Sequence, residues 1–218
     1  MSVRIAIIVE GETERVFMPI LREFLKAHLS AMPKLDTVPF NGRIPTKEKL
    51  KHQVRFLLTD KKNPADYVIA LTDVYTGTRE FQDAQDAKDK MWDWVGDENR
   101  FYPHVALYEF EAWLLPYWID IQKLAGSNRA QPSLQPENVN HGKPPAFWLK
   151  EVFRNGSKGK CYVKTRDAGR ILRDNNLLIA VQTCPELESL LTTLMVLCGL
   201  TKEKCAKLFH PNDIGKHR

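Results

Sequence analysis

The chain has 218 residues, 43% of them hydrophobic and 27% charged, with a formal net charge of +5 and a pI near 9.0. This composition excludes a disordered or fibrous chain and leaves room for a core in one domain, or in a domain with an appended lobe. No apolar run approaches the roughly 18 residues of a membrane-spanning helix, and the basic balance tilts toward polyanionic partners without naming one.

In chain order, Val3 to Val9 is a short β-branched apolar run that stops at Glu10-Gly11-Glu12-Thr13-Glu14. Such a run, bounded by a glycine turn and lacking polar alternation, predicts a central strand buried on both faces. Thr13 to Leu29 has helical spacing, with Pro19 as the awkward residue. A weak strand is expected near Thr37 to Phe40. Thr46 then caps a helix reaching about Leu58. Tyr67 to Thr72 is the second clear strand and runs into Asp73. Arg79 to Val95 reads as a polar helix, and Arg100 to Leu107 as a third strand, placed near an edge by Pro103. Tyr108-Glu109-Phe110-Glu111 follows it. Strands alternating with helices predict an α/β fold with a parallel sheet and right-handed crossovers.

Beyond Tyr117 the pattern changes. Ser127 to Pro145 is loop-like, and helices are expected over about Pro144–Phe153, Thr165–Arg173 and Pro185–Leu197. We therefore expect residues 1–120 to form the sheet domain and residues 121–218 a helical C-terminal lobe packed on it, or one continuous domain. The residues from His210 to Arg218 are expected to fray.

Glu10, Asp73 and the Glu109–Glu111 pair all fall at the carboxyl edge of the expected sheet, where ligands gather in open α/β folds. Clustered carboxylates repel unless a cation offsets them, and Mg²⁺ sites use one or two carboxylates plus waters and phosphate oxygens. The spacing of Glu14 from Glu10 lets it return to the same edge, and Gly11 permits a tight turn there. Glu12 is a solvated helix-start residue. Each acid taken singly has a plainer reading as a turn, capping or helix-dipole residue. Their coincidence at three strand ends favours a metal site.

A second feature is the basic segment holding Lys158, Lys160, Lys164, Arg166 and Arg170 around Gly156-Ser157-Lys158-Gly159-Lys160. It reads either as a flexible loop tracking a nucleic-acid backbone or as a solvated surface. Trp113, Tyr117, Trp118, Phe147 and Trp148 have core spacing, although aromatic residues also stack bases. His104 sits in a strand pattern. Cys161, Cys184, Cys198 and Cys205 form no CxxC and have no His at zinc-ligand spacing. With no signal peptide at the N-terminus, this predicts reduced thiols in a cytoplasmic protein. There is no Walker A motif and no GxGxxG, which argues against ATP or NAD binding by those routes.

Val9-Glu10-Gly11-Glu12-Thr13-Glu14 resembles the EGxxE motif of Toprim domains, the metal-dependent fold of topoisomerases, primases and overcoming-lysogenization-defect nucleases. Leu71-Thr72-Asp73-Val74-Tyr75 resembles their second acidic motif, with Tyr75 where a second Asp commonly stands. Tyr108 to Leu115 is similar to the HEFEALL stretch of the DUF4276 family of Toprim-like proteins, with Tyr108 in place of His. Pro136 to Asn140 and Cys184-Pro185 resemble that family's C-terminal half. The resemblance implies a Toprim-like Rossmannoid fold and a nuclease dependent on Mg²⁺ or Mn²⁺, acting on DNA or RNA, tRNA included. Glu10 would be general acid/base and metal-linked, Glu14 and Asp73 metal ligands, and Glu109 or Glu111 part of a second ion's shell. It also implies an anti-phage effector with an ABC-type or AAA ATPase partner, as in PARIS-type systems. A homodimer stays open. So do two alternatives: a non-catalytic subunit regulating such an ATPase, and a phosphohydrolase acting on small phosphates.

Overall fold

The computed structural model describes residues 2–40, 42–139 and 142–211, leaving aside the side chains of residues 12–15. Four strands, β1 (Arg4–Val9), β2 (Lys34–Pro39), β3 (Tyr67–Val74) and β4 (Phe101–Leu107), form one sheet in the order β2-β1-β3-β4. All three pairings are parallel, as the alternating pattern predicts. β1 and β3 are central, and every residue of β1 after Arg4 is buried. β4 lies at the edge, where Pro103 is tolerated because one side of an edge strand needs no ladder partner. β2 begins three residues before its expected start, because the pairing of Arg4 with Lys34 carries the ladder back along β1.

Strand alternation sorts the core into two clusters. Ala6, Ile8, Val68 and Ala70 face α2 (Lys47–Thr59) and α3 (Ala84–Val95). Ile5, Ile7, Val9, Ile69 and Leu71 face α1 (Glu12–His28) together with the C-terminal half. That half contains a 3-10 segment (Phe110–Tyr117), α4 (Trp118–Ala125), α5 (Pro145–Arg154), α6 (Lys164–Arg173), α7 (Leu177–Val181), α8 (Pro185–Leu197) and α9 (Lys202–Phe209). The second cluster is continuous from Ile5 of β1 to Phe209 of α9. The described helices after residue 121 thus pack into one core with the sheet.

Several local expectations shift. Ala84, not Arg79, starts α3, because the Asp83 carboxylate accepts the Asp86 N–H at the helix entrance. Thr46 stands at the α2 N-cap but its side chain makes no cap hydrogen bond. α4, α7 and α9 have no counterpart in the sequence reading: α7 spans five residues, and α9 is a polar helix started by Thr201, whose hydroxyl accepts the Lys204 N–H. α1 runs through Pro19.

Trp113, Tyr117 and Trp118 are core residues. Phe17 of α1 meets Phe110 at 5.5 Å and Trp113 at 5.8 Å, and those two meet at 5.4 Å. Each such aromatic pair contributes about 0.5–1.5 kcal/mol beyond its burial. The trio ties α1 to the segment that follows β4, and so fixes the carboxyl edge of the sheet from behind.

Candidate functional site

Val9 pairs with Leu71 in the β1–β3 register, so Glu10 emerges beside Thr72. The Thr72 hydroxyl donates to Glu10 Oε1, and the Asp73 N–H donates to the same oxygen at 3.2 Å. Charge-assisted bonds of this kind are about twice as strong as neutral ones, so the Glu10 carboxylate has a fixed address. Thr72 lies on the same side of its strand as Ala70 and Val74, which belong to the α2/α3 cluster. Asp73 follows Leu71 on the opposite side, and its Oδ1 accepts the Phe110 N–H at 3.0 Å. Glu10 and Asp73 are neighbours at the sheet edge, and both line one cleft there.

A second group forms around Asp73. Glu109 accepts the Tyr75 hydroxyl and the Ala146 N–H, both at 2.8 Å, and so uses its two oxygens to join β3 to the start of α5. Glu111 is completely buried. Lys164, in the first turn of α6, lies 2.9 Å and 3.1 Å from its two oxygens, and the Tyr162 hydroxyl is at 3.4 Å. Burial pushes the Glu111 carboxyl above the ordinary carboxylate range, with Lys164 pulling back and Glu109 adding to the rise. Burial also opposes the Lys164 ammonium, but Glu111, Glu109 and Asp73 outweigh it and raise its pKa. Tyr75 is raised by burial and then by Glu109, Asp73 and Glu111, so it remains a neutral donor. Tyr108, between β4 and this group, has φ +66°. A non-glycine residue held there stores strain of about 1–3 kcal/mol, and such residues concentrate at functional sites.

Residues 9–195 match the family described as Domain of unknown function (DUF4276). The chain belongs to this family. No curated protein matches the sequence. Among solved structures, the C-terminal region of the Burkholderia pseudomallei OLD protein is similar over 80% of this chain and 98% of that one, at 16% identity and a TM-score of 0.39.

Within the family member described here, Glu10, Asp73, Glu109 and Glu111 do come to one edge of the sheet, as the strand ends predict. The Glu14 side chain lies outside the described residues, so that ligand assignment is untouched. Among the described residues, no three His, Cys, Asp or Glu side chains converge as a metal cage. Glu109 is shared between Tyr75 and the start of α5, and Glu111 faces Lys164.

The basic segment is not the loose loop that its glycines suggest. A Cβ on Gly156 would meet the Ala125 carbonyl at 2.1 Å, and the Ser157 N–H donates to Gly126 O at 2.8 Å, pinning the loop to the end of α4. Lys158 donates to Lys123 O at 2.5 Å. Arg166 grips Asp167 with two bonds of 2.8 Å, and Arg170 flanks the same carboxylate at 3.7 Å. Lys160 is exposed. Of the five cations expected to meet a nucleic-acid backbone, Lys164 pairs with Glu111, and Arg166 and Arg170 pair with Asp167, all three remaining partly exposed. Thr72 and Tyr162 were missed as site residues, since neither stands out in sequence; the only signal for Thr72 was its place immediately before Asp73.

His104 is buried, as its strand position predicts, and desolvation lowers its pKa to about 3. Cys184 sits at the α8 N-cap with its thiol pushed up by burial, so it is a helix-entry residue. All four cysteines are free. Among the described residues no helix is long and apolar enough to cross a membrane.

Proposed function

We propose that this chain is a Toprim-like, metal-dependent nuclease that hydrolyses phosphodiester bonds of DNA or RNA. The observation that carries the reading is the pairing of Glu10 with the Thr72–Asp73 peptide at the carboxyl ends of two adjacent parallel strands. That edge is where open α/β sheets bind ligands, and the sequence around both acids resembles the Toprim motifs.

The donor chemistry fits Mg²⁺ or Mn²⁺ better than a caged ion such as zinc. Mg²⁺ keeps several waters and takes only one or two carboxylates plus substrate oxygens, so the lack of a three-ligand cage among the described side chains is no obstacle. Glu10 and Asp73 would hold it, with Glu14 as the third acid. When bound, the ion supplies charge neutralisation and a more acidic water. Glu10, fixed by the Thr72 hydroxyl, accepts the proton of the attacking water. Asp73 is oriented by the Phe110 N–H. Lys164, held at the edge by Glu111, places a permanent positive charge beside the acids and favours a phosphate there. Glu109 and Glu111 hold Tyr75, the start of α5 and Lys164 in place. The motif resemblance extends the reading to an anti-phage effector working beside an ATPase partner.

The full chain should be incubated with Mg²⁺ or Mn²⁺ and with single- and double-stranded DNA and RNA. Cleavage should fall at least about 100-fold in Glu10→Gln and in Asp73→Asn, with circular dichroism and melting unchanged. Full activity in either variant would sink the assignment. Turnover of nucleotide monophosphates with intact polymers would move the reading to a small-phosphate hydrolase. Silence both alone and with an ATPase partner would leave the non-catalytic subunit.

A further inference from the structure

A cleft of about 310 Å³ opens on the α2/α3 side of the Glu10–Thr72 pair. Its wall is Glu10, Thr72 and Asp73, while its floor is Ile44, Met91, Phe81 and Trp94. Ile44 and Met91 are buried, and the two aromatic residues are half-buried. A phosphate group and its counter-ion have no use for that floor. Something flat and apolar, attached to a phosphate, does. We propose that this cleft receives one unstacked nucleobase of the substrate strand, so that the chain acts on single-stranded or locally opened nucleic acid. The proposal rests on the nuclease reading for its substrate, although base binding is measured without it.

Three features point to a base. The volume stands at the lower end of the roughly 300–1,000 Å³ of ligand pockets, which suits one base with its sugar and excludes a stacked base pair. Phe81 is held in place by its own turn: Thr78 N–H donates to Phe81 O at 3.0 Å, Phe81 N–H donates to the Thr78 hydroxyl at 3.0 Å, and Gly77 N–H donates to Gln82 O at 2.9 Å. Lys90 donates to Glu80 O at 2.6 Å and sits 5.6 Å from the Phe81 ring, which further stiffens the loop. The rim carries the cations a flanking phosphate needs. Arg43 and Arg79 both line the opening. Arg43 is 79% exposed and reaches Glu80 only at 3.4 Å, a pair weak enough to yield to a phosphate. Arg43 is carried there by the turn in which Gly42 N–H donates to Glu10 O at 2.9 Å. Thr46, which makes no cap bond to α2, adds a hydroxyl to the lining for a base edge.

Isothermal titration of the full chain with each of the four nucleoside 5′-monophosphates and with ribose 5-phosphate tests this directly. Stacking on an aromatic wall should make at least one nucleotide bind about 5- to 150-fold tighter than the sugar phosphate. Phe81→Ala should reduce that nucleotide to the level of ribose 5-phosphate. Phe81→Leu, which keeps the apolar volume, should do the same without disturbing the melting temperature. Equal or absent binding of nucleotide and ribose 5-phosphate overturns the proposal, as does a nucleotide preference that survives both variants. The two readings fail separately. Glu10-dependent cleavage without base preference removes the base site alone, and base preference without cleavage of any polymer removes the nuclease alone.

Discussion

Lys164→Met removes the ammonium that faces Glu111 and keeps an unbranched stem in its place. Glu111 is completely buried and then keeps the Tyr162 hydroxyl and its own backbone N–H as partners. It escapes an unpaired buried charge by taking a proton, and that cost sets a ceiling. From the ordinary value of 4.5 to pH 7 is two and a half pH units, each worth about 1.36 kcal/mol, or about 3.4 kcal/mol at most. The Lys164 side chain is 42% exposed, so water already screens part of the wild-type attraction, and a loss of about 2 kcal/mol is the working figure. The sign follows from Glu111 having a raised folded-state pKa. A carboxyl raised by folding weakens the fold as pH climbs above its unfolded value, so the variant's deficit must grow from pH 4.5 upward. At pH 5 the ceiling is about 0.7 kcal/mol. Urea unfolding of wild type and variant at pH 5 and pH 7 reads the difference, with shared pH effects cancelling. A deficit of equal size at both values would mean that lost packing dominates and would refute the charge argument. The double change Lys164→Met with Glu111→Gln should recover most of the pH 7 loss.

Thr72→Val keeps the side-chain shape but removes the hydroxyl donor to Glu10. We expect a stability loss of about 1–2 kcal/mol and, if Glu10 moves the proton, a fall in kcat with little change in KM; an unchanged kcat would detach Thr72 from the chemistry. Glu137 is pushed up to about 7 by burial, against the opposing N–H groups of Glu186, Trp113 and Leu187. Its carboxyl carbon should titrate near pH 7 by NMR, and it should remove stability as pH rises from 4.5 to 7; titration near 4.5 would show that its three donors win over desolvation. His104, with its pKa depressed to about 3, should show ring shifts unchanged from pH 8 to pH 4. It removes stability as pH falls below 6.5, by about 1.36 kcal/mol per unit, so it opposes Glu137 between pH 6.5 and 4.5 and flattens the net slope there. Ring titration near pH 6 would show His104 to be solvated.

The sequence alone determined the parallel α/β plan, because strand runs such as Tyr67–Thr72 and helix runs such as Pro185–Leu197 are local patterns of apolar spacing. It also determined that acids stand at the strand ends, since Glu10 and Asp73 directly follow apolar runs whose direction is fixed by the alternation of strands and helices. The edge position of β4 was legible from one residue, Pro103, through its missing N–H. Only the tertiary structure decided which acids face which partners. A register set by long-range pairing puts Thr72 and the Asp73 N–H beside Glu10. No spacing along the chain announces that Lys164 meets Glu111 across 53 residues, so a cation that reads as surface charge becomes part of the acid group. The cleft beside Glu10 is likewise built from turns and helices separated in sequence. Its shape is a product of packing, which a linear pattern of residue types does not encode.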